Sequence, residues 1–240
     1  MIRPLPFLKM QAQGNDFVVL DGRAASLPIL DAAFIRRITE RRYGVGCDQL
    51  LVILPDDEHT AGLRIFNNDG SEAEHCGNGL RCVGHLLMEE SGRDNCTIRL
   101  PGRVVRAEHA PGGVRVHMGA ARIAACTGAH VDVDMGNPHR VFFEATEDFP
   151  RDRNIEIISG RADDHAWIDI IERGAGRTLA CGSGACAAAA AIWHLEGHCR
   201  PQTIHMPGGE VRVSGTAEDI ALEGPVARVF AGEFRPDPAD

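Results

Sequence analysis

Two short stretches have the residue types for thiol chemistry: Cys76-Gly77-Asn78-Gly79-Leu80-Arg81-Cys82 and Cys181-Gly182-Ser183-Gly184-Ala185-Cys186. In each, a cysteine followed by Gly-polar-Gly stands at the mouth of an apolar run that reads as a helix, Val83 to Met88 in the first and Ala187 to Leu195 in the second. Such a turn leaves backbone N–H groups free at a helix N-terminus, where they attract anions and lower a thiol's pKa. Two matched turns in one chain point to an internal duplication whose cysteines face one substrate. That suits proton transfer on both faces of a single carbon, one thiolate removing a proton and one thiol returning it from the other side.

Other thiol chemistry fits less well. A papain-like nucleophile needs one cysteine and would leave the second turn unexplained. A redox pair stays open if the turns face each other, although catalytic redox cysteines usually lie close in sequence. The eight cysteines are expected to be free thiols, because a chain of 240 residues without an export signal need not depend on disulfides. Cys96, Cys126 and Cys199 read as small buried hydrophobes, and Cys82 and Cys186 as packing inward from their helices. No metal site is expected: there is no Cys-x-x-Cys pair, and His194 and His198 straddle Gly197, where their helix should end. Pyridoxal phosphate would need a Schiff-base lysine, and the single lysine, Lys9, falls in a strand with no phosphate-binding signature nearby. A cofactor-free route would hold a substrate carboxylate at the helix N-termini, with Gly77-Asn78 and Gly182-Ser183 donating to the charge that grows on it.

The elements that must position these turns are mostly short strands. Strands are expected at Leu5 to Met10, Phe17 to Asp21, Leu50 to Leu54, Leu63 to Phe66, Thr97 to Leu100, Val104 to Glu108 and Val114 to Met118. A helix capped by Asp31 runs from about Ala32 to Arg42, and Asn67-Asn68-Asp69-Gly70 is a hairpin turn. Ala120 to Ala129 reads as the crossing between halves. Strands follow at Val131 to Met135, Val141 to Glu144, Ile155 to Ile158, Trp167 to Ile171, Glu210 to Val213, Ile220 to Glu223 and Val226 to Phe230, and Arg235 to Asp240 reads as a frayed end. The cysteine motif divides the chain into halves of 1–119 and 120–240, the last strand, near 226–234, being placed to return to the first half. A net charge of −9 argues against a nucleic-acid partner, no apolar run approaches a membrane span, and Met1 to Gly14 lacks a signal-peptide layout, so a cytoplasmic protein is expected.

The sequence resembles the diaminopimelate epimerase family. The matching segments are Gly14 to Phe17, Gly44 to Leu51, Ile65 to Ser71, Cys76 to Gly79, Met135 to His139 and Glu172 to Cys186, in family order. The resemblance implies an α+β fold of two pseudo-symmetric halves, each a mixed, mainly antiparallel sheet or barrel wrapped round a central helix, with the active site in the cleft between them. It implies cofactor-independent interconversion of LL- and meso-diaminopimelate, feeding lysine and peptidoglycan synthesis, by a homodimer whose partner is a small amino-acid substrate. Cys76 and Cys181 would then be the acid/base pair, with His139 and Glu172 activating the thiols. Asn15, Gln49, Asn67, Asn137, Asn154 and Arg173 would bind substrate by their side chains, and Gly77, Asn78, Gly182 and Ser183 by backbone N–H groups. A racemase of another amino acid, such as histidine, and a non-catalytic ligand-binding member of the fold are the alternatives. The chain departs from the family's pattern in being shorter between about Gly119 and His130, in Cys47, and in Asn154-Ile155-Glu156-Ile157.

Overall fold

The computed structural model describes residues 4–23 and 27–235; of the end expected to fray, 236–240 lie outside them. The described residues form two compact units, 4–12, 16–109 and 226–235 in the first and 13–15 and 110–225 in the second.

The first unit begins with β1 (Leu5–Ala12) and β2 (Asn15–Asp21), the latter parallel to β3 (Gln49–Leu54) through the crossover helix α1 (Ala32–Thr39). Asp31 caps α1 by accepting from the Phe34 N–H at 2.8 Å, and Ile35 and Ile38 are buried in a core with Val18, Leu20, Leu50, Val52 and Phe66. The helix stops at Thr39 rather than Arg42. The chain turns back there, with Val45 and Gly46 both donating to the Ile38 carbonyl and Gly46 at a φ of 78° that other residues rarely adopt. From β3 the chain runs antiparallel into β4 (Ala61–Asn67) and turns through Gly70 into the short β5 (Glu72–Ala73). Helix α2 (Gly77–Ser91) then crosses to β6 (Asn95–Leu100), parallel to β4, and β7 (Arg103–Ala110) closes antiparallel on β6. α2 ends at Gly92, whose φ of 65° makes the left-handed cap read from the sequence.

In the second unit β8 (Gly113–Gly119) is followed by β9 (Arg122–Cys126), β10 (His130–Asp134) and β11 (Pro138–Phe142), with antiparallel pairings β9 to β10 and β10 to β11. Half of the stretch expected to cross between halves, Arg122 to Cys126, is therefore a strand of this unit. All five residues of β9 are exposed, which removed the alternation that would have revealed it. β11 runs parallel to β12 (Asn154–Ala162), and β12 antiparallel to β13 (His165–Glu172), which turns into β14 (Gly176–Arg177). Helix α3 (Gly182–Glu196) crosses to β15 (Gln202–Met206), parallel to β13, and the meander continues through β16 (Gly209–Gly215) to β17 (Ile220–Gly224), which pairs with β8. β15 is absent from the sequence reading because its inward row is Gln202, Ile204 and Met206, and a glutamine at zero exposure disguises the apolar face. The final strand, β18 (Ala227–Phe234), pairs with β1 and belongs to the first unit. β8, read from sequence with the first half, belongs to the second unit through its pairing with β17.

Each unit thus has one long helix among strands. In α3 every residue from Gly182 to Trp193 is buried, and the run of alanines lets strands approach on all sides. Cys82, Cys96 and Cys186 are buried as expected, but Cys126 and Cys199 are exposed, one on β9 and the other just beyond the Gly197 cap of α3.

Lys9 explains itself in this frame. It is buried on β1 and donates to the Asp16 carboxylate and the Gly46 carbonyl, while Arg41 forks onto both Asp16 oxygens at 2.7 and 2.9 Å. Burial alone would raise the Asp16 carboxyl, but the hydrogen bonds and charges of Arg41 and Lys9 override it and hold it at about 2. A depressed carboxylate contributes stability above its unfolded pKa and loses that contribution as pH falls through the folded value. Asp16→Asn should therefore lower the denaturation midpoint at neutral pH and flatten its decline from about pH 4 down to about pH 2, as followed by denaturant titration across that range.

Candidate active site

In the first unit, Cys76 is the N-cap of α2: its backbone is extended (φ −149°, ψ 111°) and its Sγ accepts from the Gly79 N–H at 3.4 Å. Gly79 carries no side chain because a Cβ there would meet Leu51 at 3.0 Å, so the helix start sits hard against β3. Asn78 is buried, and its Oδ1 accepts from Arg81 Nη2 at 2.6 Å. Gln49 and Asn67 face each other across β3 and β4, and Gln49 Nε2 donates to Asn67 Oδ1 at 2.9 Å. Asn67 Nδ2 in turn donates to Ser71 Oγ at 3.0 Å.

The second unit repeats the device. Cys181 is the N-cap of α3 (φ −130°, ψ 114°), with its Sγ 3.3 Å from the donating Gly184 N–H and 3.5 Å from Ser183 Oγ. Around it are grouped more of the residues named from the sequence. His139 on β11 is fully buried, with Nε2 3.0 Å from Asn137 Oδ1 and Nδ1 2.8 Å from Glu156 Oε1. Glu172, at the end of β13, accepts from Thr178 Oγ1 at 2.6 Å and is hydrogen-bonded to Cys181. Asn154 is buried and its Oδ1 accepts from the Arg173 backbone N–H at 2.9 Å, tying β12 to the 173–175 turn, while the Arg173 guanidinium is exposed. Asn15 belongs to this unit through the turn Gln13 to Asn15: Gly14, at φ 79°, is pressed so close to Leu179 that a Cβ would stand 2.8 Å from it.

The electrostatics around Cys181 are one-sided. Burial raises its thiol, and the negative charges of Glu172 and Glu156 raise it further, against smaller help from Ser183 and the Gly184 N–H; the result is a thiol well above its ordinary value. Glu172 is itself raised by burial, with the hydrogen bonds from Thr178 and Cys181 pulling the other way. The surroundings of Cys181 thus favour the thiol over the thiolate. Cys47 and Cys82 are pushed up to about 12, and Cys96 to about 11, chiefly by burial, which makes them inert. Among the described residues no group of three or more His, Cys, Asp or Glu side chains is placed to hold a metal.

The arrangement also recruits three residues not named from the sequence as site residues: Glu156, Thr178 and Arg81. A signal existed for the first. Glu156 interrupts the apolar run Ile155 to Ile158, and an acid in a run buried throughout must be partnered. Thr178 and Arg81 look like ordinary surface residues in sequence and gave none.

The family model described as diaminopimelate epimerase matches residues 7–124 and 140–229. Curated diaminopimelate epimerases from Acidiphilium cryptum and Rhodospirillum centenum are 39% and 40% identical, each over 95% of this chain and over 96% and 91% of their own lengths. The chain belongs to the diaminopimelate epimerase family. Solved structures show the same fold at low identity: a predicted epimerase from Pseudomonas aeruginosa (TM-score 0.76, 18% identity, 97% of this chain and 100% of that one) and a hydroxyproline epimerase from Agrobacterium vitis (0.69, 13%, 98% and 94%). The diaminopimelate epimerase model leaves 125–139 unmatched, so Asn137 and His139 enter the site on their geometry, with His139 bonded to both Asn137 and Glu156.

Removing the charge of Glu172 while keeping its shape should make the Cys181 thiol more acidic. Glu172→Gln is expected to speed alkylation of Cys181 at a given pH, read by peptide mass spectrometry; an unchanged rate would mean that the Glu172 charge does not set its reactivity.

Proposed function

We propose that this chain epimerises LL-diaminopimelate to meso-diaminopimelate by a two-cysteine acid/base mechanism without a cofactor, in lysine and peptidoglycan precursor synthesis. The observation that carries the reading is the repeated N-cap thiol: Cys76 and Cys181 have matching backbone conformations, each with an N–H from the third helical residue on its sulfur. One thiol takes the α-proton and the other delivers one from the opposite side, and the roles exchange with the direction of reaction.

An amino-acid α-hydrogen is weakly acidic, so the carbanion-like transition state needs charge stabilisation in place of an electron sink. In this reading the substrate carboxylate sits on the N–H groups of Gly77 and Asn78 and of Gly182 and Ser183, at the positive ends of α2 and α3. Glu172 and His139 take and return thiol protons between turnovers. Gln49, Asn67, Asn15 and Asn137 offer amides to ammonium and carboxylate groups, and Arg173 offers a guanidinium that can grip the distal carboxylate with two N–H groups. Asn154 acts through the 173–175 turn by fixing the Arg173 backbone.

The same reading makes the enzyme a cytoplasmic homodimer. Support for self-association comes from the apolar surface of β18, where Val229 and Phe230 are about half exposed and Phe230 meets the Phe7 ring edge-on at 5.8 Å.

A chiral assay of LL-diaminopimelate in deuterated water tests the function, with deuterium expected at the epimerised α-carbon. Cys76→Ala and Cys181→Ala should each cost at least the contribution of a general acid or base, about 100- to 10,000-fold in kcat. Cys96→Ala should leave the rate nearly intact. Full activity in either of the first two variants would refute the two-base mechanism, and racemisation of a different amino acid with diaminopimelate left unchanged would refute the substrate.

A further inference from the structure

Glu156 has no task in the reaction as described, yet it is the most expensive residue near Cys181. Its side chain is fully buried, its Oε1 lies 2.8 Å from His139 Nδ1, and its Oε2 has no hydrogen-bond partner among the described residues. An acceptor left unmatched in the interior is destabilising, the more so when charged, so a valine or isoleucine would serve β12 better if packing were the only demand. The surroundings are also cut to fit it. A Cβ on Gly184 would stand 2.4 Å from Glu156 Oε1, so the third residue of α3 has to be glycine for the carboxylate to reach the helix start. There the positive end of the α3 dipole offsets part of its charge. The ionisable groups facing this cluster are His139 from β11, Glu172 from β13 and Cys181 at the cap of α3.

We infer that Glu156 is a positioning residue that confines proton transfer at His139 to Nε2. A carboxylate can only accept, so the ring nitrogen facing it, Nδ1, carries a proton in both the neutral and the charged ring. The partner of Nε2 is different in kind: the Asn137 side-chain amide, 3.0 Å away, offers an oxygen or an NH2 group depending on which way it is turned. Nε2 therefore holds a proton against the amide oxygen and lacks one against the amide nitrogen, with no movement of backbone. A proton passing from a thiol to Nε2 leaves a thiolate and an imidazolium, and the reverse step restores both; the Nδ1 proton stays where it is throughout. This rests on the proposed role of His139 as a thiol's proton partner, but the ring's protonation can be read without any substrate.

The test is nitrogen NMR of histidine-labelled full-length chain, parent and Glu156→Gln, with a His139→Gln sample to assign the ring, beside steady-state kinetics. In the parent, Nδ1 should remain protonated while only Nε2 titrates. In Glu156→Gln, whose amide can donate as well as accept, a population protonated at Nε2 and bare at Nδ1 should appear. kcat should fall about 10- to 100-fold, a part of a general acid/base contribution, while KM stays within about twofold, since substrate contacts are untouched. A neutral parent ring bare at Nδ1 would overturn the inference, and so would a folded Glu156→Gln variant with the parent's tautomer and kcat. If the chain leaves diaminopimelate unchanged but the ring behaves as described, the substrate assignment fails and the role of Glu156 stands.

Discussion

Placing a thiol at the first turn of a helix that is itself buried is the constraint on which the rest of the structure depends. Four N–H groups at a helix start have no partner within the helix, and in water they would simply be solvated. Here the helix start is enclosed by strands, so those donors are preserved for a sulfur and, in the proposed reaction, for a carboxylate. Enclosure demands small residues, which is why glycine occupies the first and third positions of both α2 and α3 and why alanine fills the body of α3. The neighbouring strands then come close enough to bring Leu51 and Phe17 against Gly79, and Glu156 against Gly184.

The two thiols share a backbone but not an electrostatic setting. Beneath the first helix start lies a buried guanidinium, Arg81, bonded to Asn78. Beside the second lie two carboxylates and an imidazole. Negative surroundings raise the Cys181 thiol, so the two matched turns differ in the charges placed beside them.

Buried charge recurs away from the thiols as well, and in each case it is answered locally. Lys9 and Asp16 neutralise each other at the start of β2, and Arg115 answers Glu223 where β8 meets β17. Such pairs contribute little net stability, but breaking one leaves a charge stranded, so they hold the register of the strands that carry them. The Lys9 pair has the further effect of fixing the 46–48 segment from which Gln49 projects.

The sequence by itself determined the chemistry: a cysteine, a Gly-polar-Gly turn and an apolar run are local features, and helix capping is a local interaction that needs no distant partner. It also determined most strands, the caps of the helices and the turn at 67–70. Tertiary structure alone decided what non-local contacts decide. β9 and β15 are invisible to periodicity because one is exposed throughout and the other buries a glutamine, and each exists because a neighbour supplies its hydrogen bonds. Whether Cys96, Cys126 and Cys199 are inside or outside depends on what packs over them, and only the first is covered. Above all, Glu156 joined the cluster around Cys181 only when β11, β12 and the start of α3 came together, because a hydrogen bond between residues 139 and 156 and a clash avoided at 184 are distances, and no spacing in the chain encodes them.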